Sequence, residues 1–226
     1  MSDDRPLAGR DEHELDGGHH DHGHDDGGGQ HDTHDHDHSH ERDHDHDHHH
    51  HDVDTLGVAV VTVSSSRSME EDPAGDALVE TFEDAGHEIA TRDLIGDDYD
   101  GAQSTLSNLV ERDDVDVVVT TGGTGVTPDD VTVEAAERLF AKRLPGFGEL
   151  FRTESYDEVG VMVVATRATA GIAEGVPVFC LPGSENAARL GGRIAVKSAG
   201  HLAGLAGRDR GDDGAGHHDD HGDGHH

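Results

Sequence analysis

The chain has 226 residues and carries 50 Asp and Glu against 16 Lys and Arg, a formal charge of −34. Such a polyanion argues against nucleic acid and anionic membrane surfaces as partners. A single cysteine, Cys180, rules out an intrachain disulfide, and no apolar run approaches the roughly 18–20 residues of a membrane span or opens the chain as a signal peptide would. A soluble, cytoplasmic protein is expected.

Composition divides the chain into three. Residues 1–55 are dominated by Asp, His and Gly and hold 16 of the 23 histidines; residues 208–226 look the same and hold five. Neither segment has the apolar surface needed to offset the entropy cost of ordering, so both read as disordered tails. Alternations such as His34-Asp35-His36-Asp37-His38 supply imidazoles beside carboxylates, a ligand set suited to zinc, nickel or copper. Two readings stand there: a transition-metal-binding or delivery arm, and a solvated low-complexity segment with incidental affinity. Residues 56–207 form the expected domain, of a size that builds one core. It holds 26 acidic against 11 basic residues, a formal charge of −15. Self-repulsion of that density is screened best in concentrated salt, where the Debye length is about 3 Å at 1 M, so a halophilic source is expected.

The domain's elements follow in order. Residues 56–63, Leu-Gly-Val-Ala-Val-Val-Thr-Val, read as a short buried strand. After a serine-rich loop, Asp72-Pro73 opens a helix, with Ala77, Leu78, Phe82 and Ala85 at helical spacing and Gly86 closing it. Residues 88–94 are a second strand, and Ala102, Leu106, Leu109 and Val110 mark a second helix. Residues 115–120 form a third strand that runs into a glycine-rich turn. A helix is expected from Pro128-Asp129-Asp130 through Leu139 and Phe140. Residues 177–181 are another strand, and a last helix runs from Glu185 towards Leu205. Phe82, Phe140, Phe151, Phe179 and Cys180 belong to the core; His87 and His201 are read as packing or surface residues. Alternating strands and helices give an α/β fold with a largely parallel sheet covered on both faces, and place the active site where the loops at 64–72, 121–130 and 182–185 leave the carboxyl ends of the strands.

The chemistry concentrates in Thr121-Gly122-Gly123-Thr124-Gly125-Val126-Thr127-Pro128-Asp129-Asp130. Glycines after a strand let backbone N–H groups approach an anion, and the next helix adds its dipole. No Lys follows as in a P-loop, and Pro128 stands where a dinucleotide fingerprint needs glycine. The same glycines could also serve only to make the turn. Asp130 has two readings: an N-cap, or a carboxylate facing phosphates and Mg²⁺. Asp97-Asp98 follows the second strand and reads as a second acidic cluster at the same sheet edge or as exposed turn residues.

Several motifs in this order resemble one family. Thr121-Gly122-Gly123-Thr124-Gly125 with Asp130 and Glu134-Ala135, then Leu144-Pro145-Gly146-Phe147-Gly148-Glu149 with Arg152, then Leu181-Pro182-Gly183-Ser184, are similar to the MoaB/Mog family of molybdenum-cofactor biosynthesis proteins. Thr62-Val63-Ser64 and residues 70–75 resemble its MoaB branch, and the acidity suggests a haloarchaeal member. The resemblance implies a three-layer α/β/α domain, its mostly parallel sheet containing one antiparallel strand, assembled as a homotrimer or homohexamer. It implies Mg-ATP-dependent adenylylation of molybdopterin with release of pyrophosphate. It puts the catalytic, Mg²⁺-positioning pair on Asp97 and Asp130, although Gly96 stands where the family often shows Pro. Substrate contacts would come from Ser64, Thr121, Gly122, Gly123, Thr124, Gly125, Gly146, Gly148, Glu149, Arg152, Pro182, Gly183 and Ser184. Arg152 would stabilise negative charge or pair with Glu149; Glu149 is equally a structural residue near Gly146 and Gly148. The alternatives are a non-catalytic molybdopterin-binding paralogue, or a metal-delivery protein acting through its tails.

Overall fold

The computed structural model describes residues 53–207. The expected tails therefore lie outside the described residues, except for positions 53–55. In chain order the elements are β1 (Gly57–Val63), α1 (Pro73–Asp84), β2 (Glu88–Ile95), α2 (Tyr99–Val110), β3 (Val117–Thr121), α3 (Thr132–Glu137), β4 (Lys142–Arg143), α4 (Pro145–Val159), a 3-10 turn (Gly160–Ala165), β5 (Thr169–Ala173), β6 (Val176–Leu181) and α5 (Glu185–Ala206).

The six strands lie in the order β2-β1-β3-β6-β5-β4. β2, β1, β3 and β6 run parallel, and β5 is antiparallel to both of its neighbours. Alternate residues of β1 feed opposite cores, as the two-residue period of a strand requires. Val58 and Val60 pack with Leu78 and Phe82 of α1, Phe147 and Phe151 of α4, and Ala195 and Ala199 of α5. Ala59, Val61 and Val63 pack with Leu106, Leu109 and Val110 of α2 and Ala136 of α3. The result is three layers, with α1, α4 and α5 on one face and α2 and α3 on the other. Full burial of a side chain such as Phe82 or Phe179 contributes about 2–3 kcal/mol. No helix among the described residues is long and apolar enough to cross a membrane.

Three helices start on side-chain caps. Asp72 accepts from the N–H of Gly75 at 3.1 Å before α1, Asp98 from Gly101 at 2.7 Å before α2, and Ser184 from Ala187 at 3.2 Å before α5. The helix expected from residue 128 starts instead at Thr132. Residues 127–130 close a tight turn of their own, in which the Asp130 N–H donates to the Thr127 carbonyl at 3.1 Å and Thr127 donates back to the Asp130 carboxylate. That helix also ends at Glu137, short of Phe140, whose ring lies over Gly171 of β5; a Cβ there would sit 2.4 Å from it.

β1 and β3 are neighbours, yet β1 connects through α1 to β2 on one side while β2 returns through α2 to β3 on the other. Such a switch in winding direction opens a crevice beyond the carboxyl ends of the strands.

Candidate functional site

Two glycines shape the turn that follows β3. Gly122 has φ +100°, and a Cβ there would lie 2.2 Å from the Val63 carbonyl oxygen; Gly123 has φ +64°, and a Cβ would lie 2.2 Å from Thr132 Oγ1. Side chains rarely adopt such φ values, and here there is no space for them either. The carbonyls of the loop are turned to one side. Gly123 accepts from Thr132 N at 3.1 Å, Thr124 from Arg167 N at 2.9 Å, and Gly125 from Arg167 Nε at 2.6 Å. All peptides among the described residues are trans, so the amides of Thr124, Gly125 and Val126 point the opposite way from those carbonyls. A row of N–H groups facing away from a braced loop is the geometry of an anion cradle.

Asp130 lies within this loop. Its Oδ2 accepts from the Thr127 N–H at 2.8 Å and the Thr127 hydroxyl at 2.7 Å. Burial pushes its pKa up, but the Thr127 hydroxyl and N–H, the Gly125 N–H and the Arg167 charge outweigh burial and hold the carboxyl below its usual range. Asp130 is therefore ionised at neutral pH.

Gly122, Gly123, Thr124, Gly125 and Asp130 form one wall of a cavity of about 820 Å³. Pro182, Gly183 and Ser184 add the loop after β6 and the start of α5. The opposite wall comes from α4 and the 3-10 turn: Phe151, Ser155, Glu158, Val159, Met162 and Val163. Glu158 is fixed by a hydrogen bond from Asn186 Nδ2 at 2.6 Å. One side is thus polar and rich in amides, the other largely apolar, a division that suits a phosphorylated molecule carrying a flat ring system. None of the six residues of this second wall was marked as a site residue by its sequence motif.

The loop after β1 reaches the site indirectly. Arg67 donates to the Gly183 carbonyl at 2.6 Å and to Asp72 at 3.3 Å. The Asp72 side chain has no solvent exposure; it also accepts from Thr62 Oγ1 at 2.6 Å and pairs with Arg92 at 3.2 Å. Burial pushes the Asp72 carboxyl up, and the Thr62, Gly75 and Arg92 donors bring it below the usual carboxylate range. Arg67 and Asp72 therefore lock the 64–72 loop to the 182–184 loop.

The residues singled out in the sequence fall into three groups. Gly122, Gly123, Thr124, Gly125, Asp130, Pro182, Gly183 and Ser184 share the cavity. Thr121 stands just behind it, its hydroxyl donating to the Pro182 carbonyl at 3.0 Å. Asp97 and Ser64 do not line the cavity. Asp97 follows β2, two strands away from β3, and its Oδ2 accepts from the Ser65 N–H at 2.7 Å while its own N–H donates to Ser65 Oγ at 2.9 Å. The Ser64 hydroxyl accepts from the N–H of Ser66 within the same loop. Gly148, Glu149 and Arg152 line a separate recess with Arg143, Glu134 and Arg167, and Gly146 borders an apolar groove between α4 and α5. Of the two readings of Arg152, pairing with Glu149 is not formed: Arg152 donates to the Ala168 carbonyl at 3.3 Å, across Gly148, where a Cβ would lie 2.9 Å from the guanidinium.

Arg167 and Arg67 were missed. Each is an isolated arginine in an unremarkable stretch, and only their tertiary acceptors mark them. Two other groups drop out of the chemistry. Burial pushes the Cys180 thiol up to about 12, so it cannot serve as a nucleophile. His87 opens β2 at the edge away from the cavity, where burial lowers its pKa and its Nδ1 accepts from the Leu56 N–H at 3.4 Å.

Among the described residues, no three His, Cys, Asp or Glu side chains converge as a metal cage would need. Mg²⁺ does not require one, since it binds through one or two carboxylates with phosphate oxygens and water completing the shell. An ionised Asp130 beside an amide-lined phosphate cradle fits that donor set.

A three-layer α/β/α domain with a cavity at the carboxyl ends of a parallel sheet, floored by a glycine turn, defines the general class of protein. The chain belongs to the family described as "Probable molybdopterin binding domain", whose profile matches residues 59–199. It is 39% identical over 141 residues to a Bacillus anthracis protein named "Molybdenum cofactor biosynthesis protein B", covering 62% of this chain and 83% of the other. It is 40% identical over 141 residues to a Pyrococcus furiosus protein named "Molybdopterin adenylyltransferase", covering 61% and 82%. Among solved structures, the tungsten cofactor synthesizing protein MoaB from Pyrococcus furiosus matches with a TM-score of 0.62 at 39% identity, over 68% of this chain and 98% of that one. The expected three-layer fold with a single antiparallel strand, and the family resemblance, are both borne out.

Proposed function

We propose that the protein is a molybdopterin adenylyltransferase of molybdenum or tungsten cofactor biosynthesis, transferring AMP from ATP to the molybdopterin phosphate. The names of its relatives support the reaction class. The observation that carries the reading is the two-sided cavity: an amide-lined glycine loop with an ionised Asp130 faces an apolar wall, in about 820 Å³ of space.

In this reaction a molybdopterin phosphate oxygen attacks the α-phosphorus of ATP. A new phosphoanhydride bond forms, the bond from the α-phosphorus to its bridging oxygen breaks, and pyrophosphate leaves. No protein nucleophile is needed; positioning and charge neutralisation do most of the work. The amides of Thr124 and Val126 hold phosphate oxygens, while that of Gly125 holds the Asp130 carboxylate. The Ser184 hydroxyl, whose oxygen caps α5, keeps its proton free to donate into the cavity, and the first turn of that 22-residue helix adds a positive dipole end. Asp130 would be the residue to hold Mg²⁺, which when bound would supply neutralisation of the charge that develops on the phosphates. Asp97 acts from the neighbouring loop by fixing Ser65, and through it the course of residues 64–67 that Arg67 ties to Gly183. Phe151, Val159, Met162 and Val163 cover the ring system and exclude water.

The working form is proposed to be a homotrimer or homohexamer in the cytoplasm. Val161 and Val164, each at least 70% exposed on the 3-10 turn, support burial against further copies.

Incubating the purified protein with molybdopterin and Mg-ATP tests the reading by pyrophosphate release and the mass of the adenylylated product. Asp130→Asn keeps an acceptor for Thr127 but removes the charge; its turnover should fall at least about 100-fold while the fold is kept, as far-UV circular dichroism would check. Full activity in that variant removes Asp130 from the mechanism, and binding without transfer by the native protein makes the chain a non-catalytic paralogue.

A further inference from the structure

We infer that Arg167 is a positioning residue: it holds the glycine loop in its amide-presenting shape and fastens that loop to the apolar wall of the cavity. The inference rests on the transferase reading for its catalytic consequence, and on geometry alone for its structural one.

Arg167 follows the 3-10 turn, one residue beyond Thr166, which lines the cavity. Three of its groups reach the loop and a fourth reaches α3. Its backbone N–H donates to the Thr124 carbonyl at 2.9 Å, Nε to the Gly125 carbonyl at 2.6 Å, and one terminal nitrogen to the Asp130 carbonyl at 2.8 Å. The other terminal nitrogen pairs with Glu134 on α3. No other side chain among the described residues bonds the carbonyls of Gly125 and Asp130. Those carbonyls lie at the two ends of the segment that contains the Thr127–Asp130 turn, so one planar guanidinium spans the loop like a strut.

The chemistry requires Arg. Three in-plane donors separated by fixed angles reach two carbonyls and a carboxylate at once; the point charge of Lys, on a flexible stem, cannot. The bonds also set the direction of the amides. With the 124 and 125 carbonyls held towards Arg167, planar trans peptides send the next N–H groups away from it. Glycines lower the barrier to other loop shapes, so without the strut the loop samples conformations in which the amides scatter. Because residues 163, 165 and 166 line the cavity's other side, the same strut fixes the spacing between its two walls.

The test compares Arg167→Lys and Arg167→Ala with the native protein. Hydrogen exchange is measured on peptides spanning 121–132, and transfer kinetics are measured with molybdopterin and Mg-ATP. Arg112→Lys, which alters an exposed pair with Asp114, is the control. Arg167→Lys keeps the charge beside Glu134 and should keep the fold. It should nevertheless speed exchange in 121–132 and lower kcat by about 100-fold, more than it raises KM, because a shift of about 1 Å in reacting groups costs that much. Added methylguanidine should restore part of the activity of Arg167→Ala. Unchanged exchange within 121–132 in both variants overturns the inference whatever the kinetics. So does an activity loss that only tracks the fraction unfolded, with no rescue. If the native protein transfers no AMP while the variants still loosen the loop, the strut stands and the transferase reading fails.

Discussion

Gly123→Ala isolates the steric logic of the cradle. Alanine at φ +64° costs about 1–2 kcal/mol in backbone strain. Its Cβ would also sit 2.2 Å from Thr132 Oγ1 and 3.1 Å from Thr132 Cβ, inside a site where Thr132 has no exposed surface to yield into. Overpacking of that kind costs a further 1–3 kcal/mol or so. A total of about 2–5 kcal/mol should lower the melting temperature by roughly 5–20 °C, since a domain of this size loses about 2–4 °C per kcal/mol. The two contributions separate in a double-mutant cycle. Thr132→Ala deletes the clashing oxygen, which has no hydrogen-bond partner of its own, so the combined variant should recover most of the overpacking share and retain the strain and the milder contact with the Cβ of residue 132. Calorimetric melting of the four proteins gives the coupling energy. Strict additivity, or a Gly123→Ala melting point within 2 °C or so of native, would refute the account of why glycine stands there.

Four further outcomes are expected. Asp72→Ala should cost about 3 kcal/mol at neutral pH by urea unfolding: it removes a buried carboxylate's cap and pairs, with the figure reduced because Arg67 and Arg92 keep some water. The Asp72 pKa is depressed in the native state, so its stabilisation is complete above about pH 4 and lost as pH falls through the native value; the variant's stability should vary less with pH in that range. His87 acts in the same direction over a higher window. It is depressed below 6.5 when folded, so its contribution is present above 6.5 and declines as pH falls; replacing it with Gln should flatten the profile just below pH 6.5. Cys180 should resist thiol reagents in the native protein and react at the rate of unfolding, whereas fast native-state labelling would contradict its burial. With 26 acids against 11 bases in residues 56–207, melting should occur at a higher temperature in about 1 M KCl than in dilute buffer; equal values would count against adaptation to salt.

Much of the framework follows from local sequence alone. The β-branched runs of β1 and β3, buried on both faces, are continuous because a central parallel strand has no solvent side. Asp72-Pro73 and Ser184 start helices through bonds made within three residues, and Gly122 to Gly125 with Asp130 mark the loop by composition. Tertiary structure decided what has no local signal. β5 reads as small residues without pattern and is a strand because β6 supplies its partners; β4 is two residues long for the same reason. α4 carries only a weak apolar stripe, yet with the 3-10 turn it provides the apolar wall of the cavity. Asp97 and Asp130 look equivalent as acids after parallel strands, but β1 lies between β2 and β3 in the sheet, so one faces the serine loop and the other the cavity. Arg67 and Arg167 gain their roles from carbonyls 116 and 42 residues away, because a hydrogen bond depends on where the chain returns in space rather than on neighbours in sequence.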